Sequence, residues 1–215
     1  HHVTIKPVLY GTLAARWVGG IMVLNAISGL GFTFIAKGRV AMFRRSLLVL
    51  FCRLFINSSV VWMLFQNPDD RDLFEQYGIT YQGHGREIKG SGVDLTQFLP
   101  TPLPVGTPKV VLIARMLWDK GVGEFVESAK LIKQRGIEVQ FLLVGSIDEG
   151  NPKSIPVEQL GEWTRSGQVD WLGSRSDIPQ LLEESRIVVL PSYREGLPKT
   201  LIEAASAGRP IVTTD

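Results

Sequence analysis

The segment Ser192-Tyr193-Arg194-Glu195-Gly196-Leu197-Pro198-Lys199-Thr200-Leu201-Ile202-Glu203 gathers the side chains best suited to chemistry. It follows an apolar run from Ile187 to Leu190 and leads into Leu197, Leu201, Ile202 and Ala205 at helical spacing. The pattern predicts a strand, a loop and a helix, with Pro198 at the first helical position. The amides of Leu197, Lys199 and Thr200 would then lie unpaired at the positive end of the helix dipole, a setting that favours phosphate. Glu195 precedes this anion site, and Glu203 shares the helix face of Lys199 and Thr200. Carboxylates repel phosphate, so their use beside it is to accept hydrogen bonds from sugar hydroxyls. Taken singly, Glu195 could merely complement the dipole, and Glu203 could pair with Lys199 across one turn of a solvated face. Their shared strand-loop-helix context favours a binding site.

The elements that must position these groups alternate from residue 108 onward. Apolar runs at 110–114, 139–144, 169–172 and 187–190, and a start at 211, read as strands. Between them, Val122, Phe125, Val126, Ala129 and Ile132 recur at helical spacing up to Gly136, and 158–166, 178–182 and 197–205 read as further helices. Strand and helix in strict alternation call for an open parallel sheet covered on both faces. Upstream, Pro100, Pro102, Pro104 and Pro108 fix an extended stretch that cannot join a sheet interior, so it reads as an interdomain linker. The expected domains are 1–105 and 106–215.

The first domain is read more coarsely. Strands are expected at 21–27 and 60–65, with a Ser28-Gly29-Leu30-Gly31 loop and an arginine-studded apolar helix over 40–56 between them. Residues 17–36 carry no charge and are long enough to span a bilayer, although Gly19-Gly20 and 25–31 read instead as turn, strand and loop. From His1 to Pro68 there are seven basic residues and no acidic one, although the whole chain carries only +2. That imbalance suits either an anionic partner or a fragment whose acidic residues lie just outside it, and the helix over 40–56 could lie in an anionic membrane surface or pack as a core helix whose arginines reach solvent. One cysteine, Cys52, excludes an internal disulfide framework and suits a reducing compartment such as the cytoplasm. The opening residues show no secretory signal.

Glu195 and Glu203 in Glu-Gly-Leu-Pro…Glu-Ala…Ala-Gly-Arg-Pro-Ile-Val-Thr-Thr-Asp resemble the retaining glycosyltransferases of family 4. The resemblance extends to 114–121, which includes Arg115, Trp118-Asp119-Lys120-Gly121, and to Val169-Asp170-Trp171-Leu172-Gly173 and Lys89-Gly90-Ser91-Gly92-Val93-Asp94. The opening 1–7 and 25–31 resemble the capsule and O-antigen branch. The resemblance implies an α/β protein of GT-B type with two Rossmann-like domains. The first would be the later part of an acceptor-side domain, and the second a nucleotide-sugar donor domain ending before it closes. By position, Arg115 and Lys120 would hold the donor diphosphate, Glu195 the hexose, Glu203 the ribose, and Gly196, Leu197, Pro198, Lys199 and Thr200 the diphosphate through their backbone. Glu195, Arg115 and Lys120 would carry catalysis, by positioning and leaving-group stabilisation.

The implied reaction is transfer of a hexose or N-acetylhexosamine, with retention, from a UDP-linked donor to an undecaprenyl-diphosphate-linked saccharide. No cofactor, metal or nucleic acid is expected, and the location implied is the inner face of the cytoplasmic membrane. A sugar-nucleotide epimerase of the same architecture and an inactive membrane-associated interaction protein are the competing readings. Asp70-Arg71-Asp72 matches the Asp-x-Asp of metal-dependent transferases, but after Asn67-Pro68 it reads as the cap and acidic first turn of a helix ending near Tyr77. Many relatives place a histidine where Ser28-Gly29 lie, so no catalytic histidine is assigned, and His1, His2 and His84 read as structural or exposed.

Overall fold

A computed structural model describes residues 1–27, 38–193 and 195–214, and of 39–41 the backbone alone. The Ser28-Gly29-Leu30-Gly31 segment, Arg194 and Asp215 lie outside the described residues. The chain forms two compact units, His1–Ser91 and Gly92–Asp215.

Unit 1 contains β1 (His2–Val3), α1 (Ile5–Val18), β2 (Val23–Ile27), α2 (Arg39–Phe55), β3 (Val61–Phe65), α3 (Pro68–Gln76) and β4 (Gly85–Glu87). The strands run parallel in the order β1-β2-β3-β4, with Asn25 opposite Met63 and Met63 opposite Gly85. Alternation along β2 and β3 turns Val23, Ile27, Val61, Met63 and Phe65 to one face, where they pack with Val8, Cys52, Ile56 and Phe74. Burial pushes the Cys52 thiol up to about 11, which leaves it protonated and inert at neutral pH.

Residues 17–36 do not form one helix over their described part. Trp17 and Val18 end α1, and Gly19 and Gly20 turn the chain at φ 75° and 68° before β2 begins. A side chain other than glycine would be strained at both. No helix among the described residues is long and apolar enough to cross a membrane.

Unit 2 contains β5 (Lys109–Ile113), a 3-10 turn (Trp118–Lys120), α4 (Val122–Gln134), β6 (Gln140–Val144), α5 (Val157–Arg165), β7 (Asp170–Trp171), α6 (Ile178–Glu184), β8 (Ile187–Leu190), α7 (Lys199–Ser206) and β9 (Ile211–Thr213). The sheet order is β7-β6-β5-β8-β9, all parallel. Its two faces bury different sets. Val110, Leu112, Phe141 and Leu143 meet Phe125, Val126 and Leu160 from α4 and α5. Val111, Ile113, Leu142, Val144 and Val188 meet Leu181, Leu182 and Ala204 from α6 and α7. Apolar residues at consecutive positions of β5 and β6 are what a doubly covered parallel sheet requires.

The division between the units falls at Ser91 and Gly92, ahead of the proline-rich stretch where the sequence places it. The prolines lie outside any strand or helix, and the second unit claims them. Arg209, 3% exposed, donates to the Thr101 and Pro102 carbonyls and to that of Ser185 at the end of α6. Ser206 Oγ donates to the Phe98 carbonyl (2.6 Å), and Phe98 sits in the core with Val111 and Ala204.

Candidate functional site

The order β7-β6-β5-β8-β9 places a topological switch point between β5 and β8, because the chain leaves β5 toward β6 on one side and returns as β8 on the other. In open parallel sheets ligands bind outside the carboxyl ends of the strands at this point. The two loops that leave those ends, 114–121 and 191–198, carry the residues singled out from the sequence.

Lys120 and Glu195 meet there. The Lys120 ammonium donates to Oε1 of Glu195, and the two side chains are only 21% and 24% exposed. Gly121 makes the meeting possible. It adopts φ 71°, and a Cβ on it would lie 2.2 Å from the Pro191 carbonyl oxygen. Only glycine tolerates both the left-handed backbone and that approach, so the loop after β5 closes directly onto the end of β8. Gly145, at the end of β6, is constrained in the same way, since a Cβ would fall 1.7 Å from the Ala114 carbonyl oxygen.

The helix of the motif, α7, begins at Lys199, and Pro198 is its N-cap rather than its first helical residue. With ψ at 118°, Pro198 is still extended, and its carbonyl accepts from Leu201 (3.0 Å) and Ile202 (3.4 Å). The amides of Lys199 and Thr200 therefore precede the first intrahelical bond. Gly196 and Leu197 lead into this turn from Glu195. Glu203 does pair with Lys199 across one turn, at 3.3 Å, but not on a solvated face: its side chain is 10% exposed and that of Lys199 is 64%.

Arg115 stands apart from this pairing. Its Nη1 donates to Oδ2 of Asp148 (2.6 Å) in the loop after β6, and the guanidinium side chain is 58% exposed. Asn151 Nδ2 donates to the same carboxylate oxygen (3.0 Å), so this loop forms a small polar anchor. Sequence reasoning missed Asp148 and gave Gly121 no role; positive φ beside a lysine leaves no periodic signal.

In unit 1 the Asp-x-Asp residues belong to a helix start. Asn67 caps α3, its Oδ1 accepting from the Asp70 amide (2.7 Å) and its Nδ2 donating to Asp70 Oδ2 (3.1 Å), with Pro68 following. Asp72 accepts from Arg71. His84 stacks on Trp62 with centroids 4.3 Å apart and donates from Nδ1 to the Val61 carbonyl (3.2 Å). His2 pairs through Nδ1 with Asn25 Oδ1 (2.9 Å), over Gly11, which leaves room for the ring.

Two successive units of parallel sheet and helix give the α/β fold of the GT-B class, with the Lys120–Glu195 ion pair and the start of α7 gathered at the second unit's switch point. The chain belongs to the glycosyl transferases of group 1, which its residues 107–215 match. It is 34% identical, over 98% of its length, to the N,N'-diacetylbacillosaminyl-diphospho-undecaprenol alpha-1,3-N-acetylgalactosaminyltransferase of Campylobacter jejuni. It is 23% identical, over all of its length, to the UDP-Gal:alpha-D-GlcNAc-diphosphoundecaprenol alpha-1,3-galactosyltransferase of Escherichia coli. The chain spans 57% of each of these relatives. Among solved structures, Anabaena Alr3699/HepE in complex with UDP-glucose superposes with a TM-score of 0.75 at 20% identity, over 98% of this chain and 57% of that one. WaaG, a glycosyltransferase involved in lipopolysaccharide biosynthesis, superposes with a TM-score of 0.71 at 14% identity, over 95% and 62%.

Proposed function

We propose that the protein transfers a hexose or N-acetylhexosamine from a UDP-linked donor to an undecaprenyl-diphosphate-linked saccharide, with retention and without a metal, in surface polysaccharide synthesis. The observation that carries this reading is the pairing of Lys120 with Glu195 at the switch point, beside the open amides and buried Glu203 of α7. In that pair each group neutralises the other. A donor diphosphate offers Lys120 a more highly charged partner, and the exchange frees Glu195 to accept hydrogen bonds from the hexose hydroxyls. The amides of Lys199 and Thr200 face the phosphates, Glu203 takes the ribose hydroxyls, and Arg115 closes on the diphosphate from the loop after β5. Displacement on the front face needs no protein nucleophile, so the contribution of these groups is to position the donor and stabilise the leaving diphosphate.

The names of the Campylobacter jejuni and Escherichia coli relatives, both citing diphospho-undecaprenol substrates, support the acceptor class. The UDP-glucose complex of the Anabaena protein supports the donor class. The use of Asp70 and Asp72 in a helix start and an ion pair supports a cation supplied by side chains rather than by an Asp-x-Asp metal.

A lipid-linked acceptor is reached from a membrane surface, and α2 suits one. Leu48, Val49 and Cys52 pack inward, whereas Phe43, Leu47, Leu50 and Leu54 form a second apolar stripe that is 57–68% exposed. Arg44 and Arg53 are also exposed on this helix. A helix with an outward apolar stripe and flanking arginines lies in an anionic bilayer surface, here the inner face of the cytoplasmic membrane.

The test is UDP release by the whole protein across UDP-linked hexoses and N-acetylhexosamines, with an undecaprenyl-diphosphate-linked acceptor. Acceptor-dependent release that EDTA leaves unchanged is expected. Release abolished by EDTA would overturn the metal-free reading, and a donor epimerised without transfer would overturn the function.

A further inference from the structure

Next to the Lys120–Glu195 pair, unit 2 has a hollow of about 430 Å³ that none of the roles above uses. Trp118, Asp119, Gly123, Glu124, Lys153 and Tyr193 line it. Two of these are aromatic rings turned to solvent, Trp118 at 40% exposure and Tyr193 at 72%. Leaving such rings in water forfeits the gain of burying them, so paired exposure around a concavity marks a binding surface.

Both rings are held in place. Trp118 stands edge-on to Trp163, centroids 5.9 Å apart, and its amide donates to the Lys153 carbonyl (2.9 Å). Gly123 gives the indole its space, since a Cβ there would lie 3.1 Å from Cζ3. Tyr193 donates its amide to the Asp119 carbonyl (3.0 Å) and its hydroxyl to Oε1 of Glu124. The bond to Glu124 holds the phenol above its ordinary pKa, so it remains a donor throughout the neutral range. Lys153 lies 3.6 Å from Asp119, which leaves two carboxylates facing one ammonium.

We propose that this hollow is a saccharide subsite, distinct from the donor site, in which a neutral pyranose stacks on Trp118 and Tyr193 and hydrogen-bonds to Asp119, Glu124 and Lys153. A pyranose has an apolar C–H face and a rim of hydroxyls, which matches rings on the wall and ionised groups at the edge. The excess of carboxylate disfavours a diphosphate, which separates this hollow chemically from the anion site beside it. The biological sense of the subsite, to hold a sugar of the acceptor or product glycan next to the transfer point, rests on the glycosyltransferase reading; the binding itself does not.

The experiment is titration of the chain with galactose, N-acetylglucosamine, N-acetylgalactosamine and a disaccharide of these, with and without saturating UDP, followed by tryptophan fluorescence and saturation-transfer NMR. Sugar binding that persists under UDP, weakens at least fivefold in Tyr193→Ala and survives in Tyr193→Phe is expected. Tyr193 is largely exposed, so its variants should keep the thermal melt of the parent. No sugar binding, binding unchanged in both Tyr193→Ala and Trp118→Leu, displacement of the sugar by UDP, or a preference for uridine would each overturn the subsite. Sugar binding intact in a chain that fails to bind UDP would support the hollow while sinking the donor reading.

Discussion

Lys120 and Arg115 are both cations on the loop after β5, but their surroundings differ. Lys120 is largely enclosed against Glu195, whereas Arg115 is more than half exposed and tied to Asp148. A charge-assisted bond to a ligand phosphate is worth roughly 1.5–3 kcal/mol, and solvent screening lowers it at exposed positions. In steady-state kinetics Lys120→Ala should therefore lose about ten- to a hundredfold in donor turnover, and Arg115→Ala should fall at or below the small end of that range. Equal turnover in Lys120→Ala and the parent would remove Lys120 from the site. Residue types at this scale were largely legible in the sequence: Glu195, Glu203, Lys120 and Arg115 stand in a recognisable pattern. Their pairing was not. Lys120 and Glu195 are 75 positions apart, and what joins them is the backbone approach at Gly121, a three-dimensional fact with no local signature.

At the scale of elements, alternation of apolar strands and amphipathic helices was enough to place β5 through β9, because each is built from short-range periodicity. The boundary between units was harder. Prolines announce extended backbone, but they do not say which domain the extended chain lies against, and here a guanidinium more than a hundred positions away decides it. Arg209 donates to the carbonyls of Thr101, Pro102 and Ser185 from a nearly fully buried position. Arg209→Met would leave those carbonyls short of a donor and cost about 1.5–3 kcal/mol. A lower melting temperature with faster proteolysis within 99–108 is the expected result, and an unchanged melt would show that the staple contributes nothing. Pro198 marks the opposite error, small in extent: a proline that suits the first helical position also suits the cap, and its ψ decides between them.

At the scale of the whole molecule, the basic first seventy residues take on meaning with α2, whose outward stripe of Phe43, Leu47, Leu50 and Leu54 lies beside exposed arginines. Each basic residue near an anionic surface contributes about 1 kcal/mol, enough in combination to hold the protein there reversibly. The protein should sediment with vesicles containing phosphatidylglycerol and be released by high salt, and Arg44→Glu with Arg45→Glu should weaken that binding without unfolding. Absence of sedimentation would remove the membrane from the account. The central claim, that the switch point of unit 2 is a nucleotide-sugar site, is tested most directly by measuring UDP affinity and UDP release side by side in the whole protein, its Glu203→Ala variant and its Glu195→Ala variant. The account predicts weakened UDP binding in Glu203→Ala, and lost turnover with nearly unchanged UDP binding in Glu195→Ala. Normal binding and normal transfer in both variants would contradict it, leaving the motif a capped helix and nothing more.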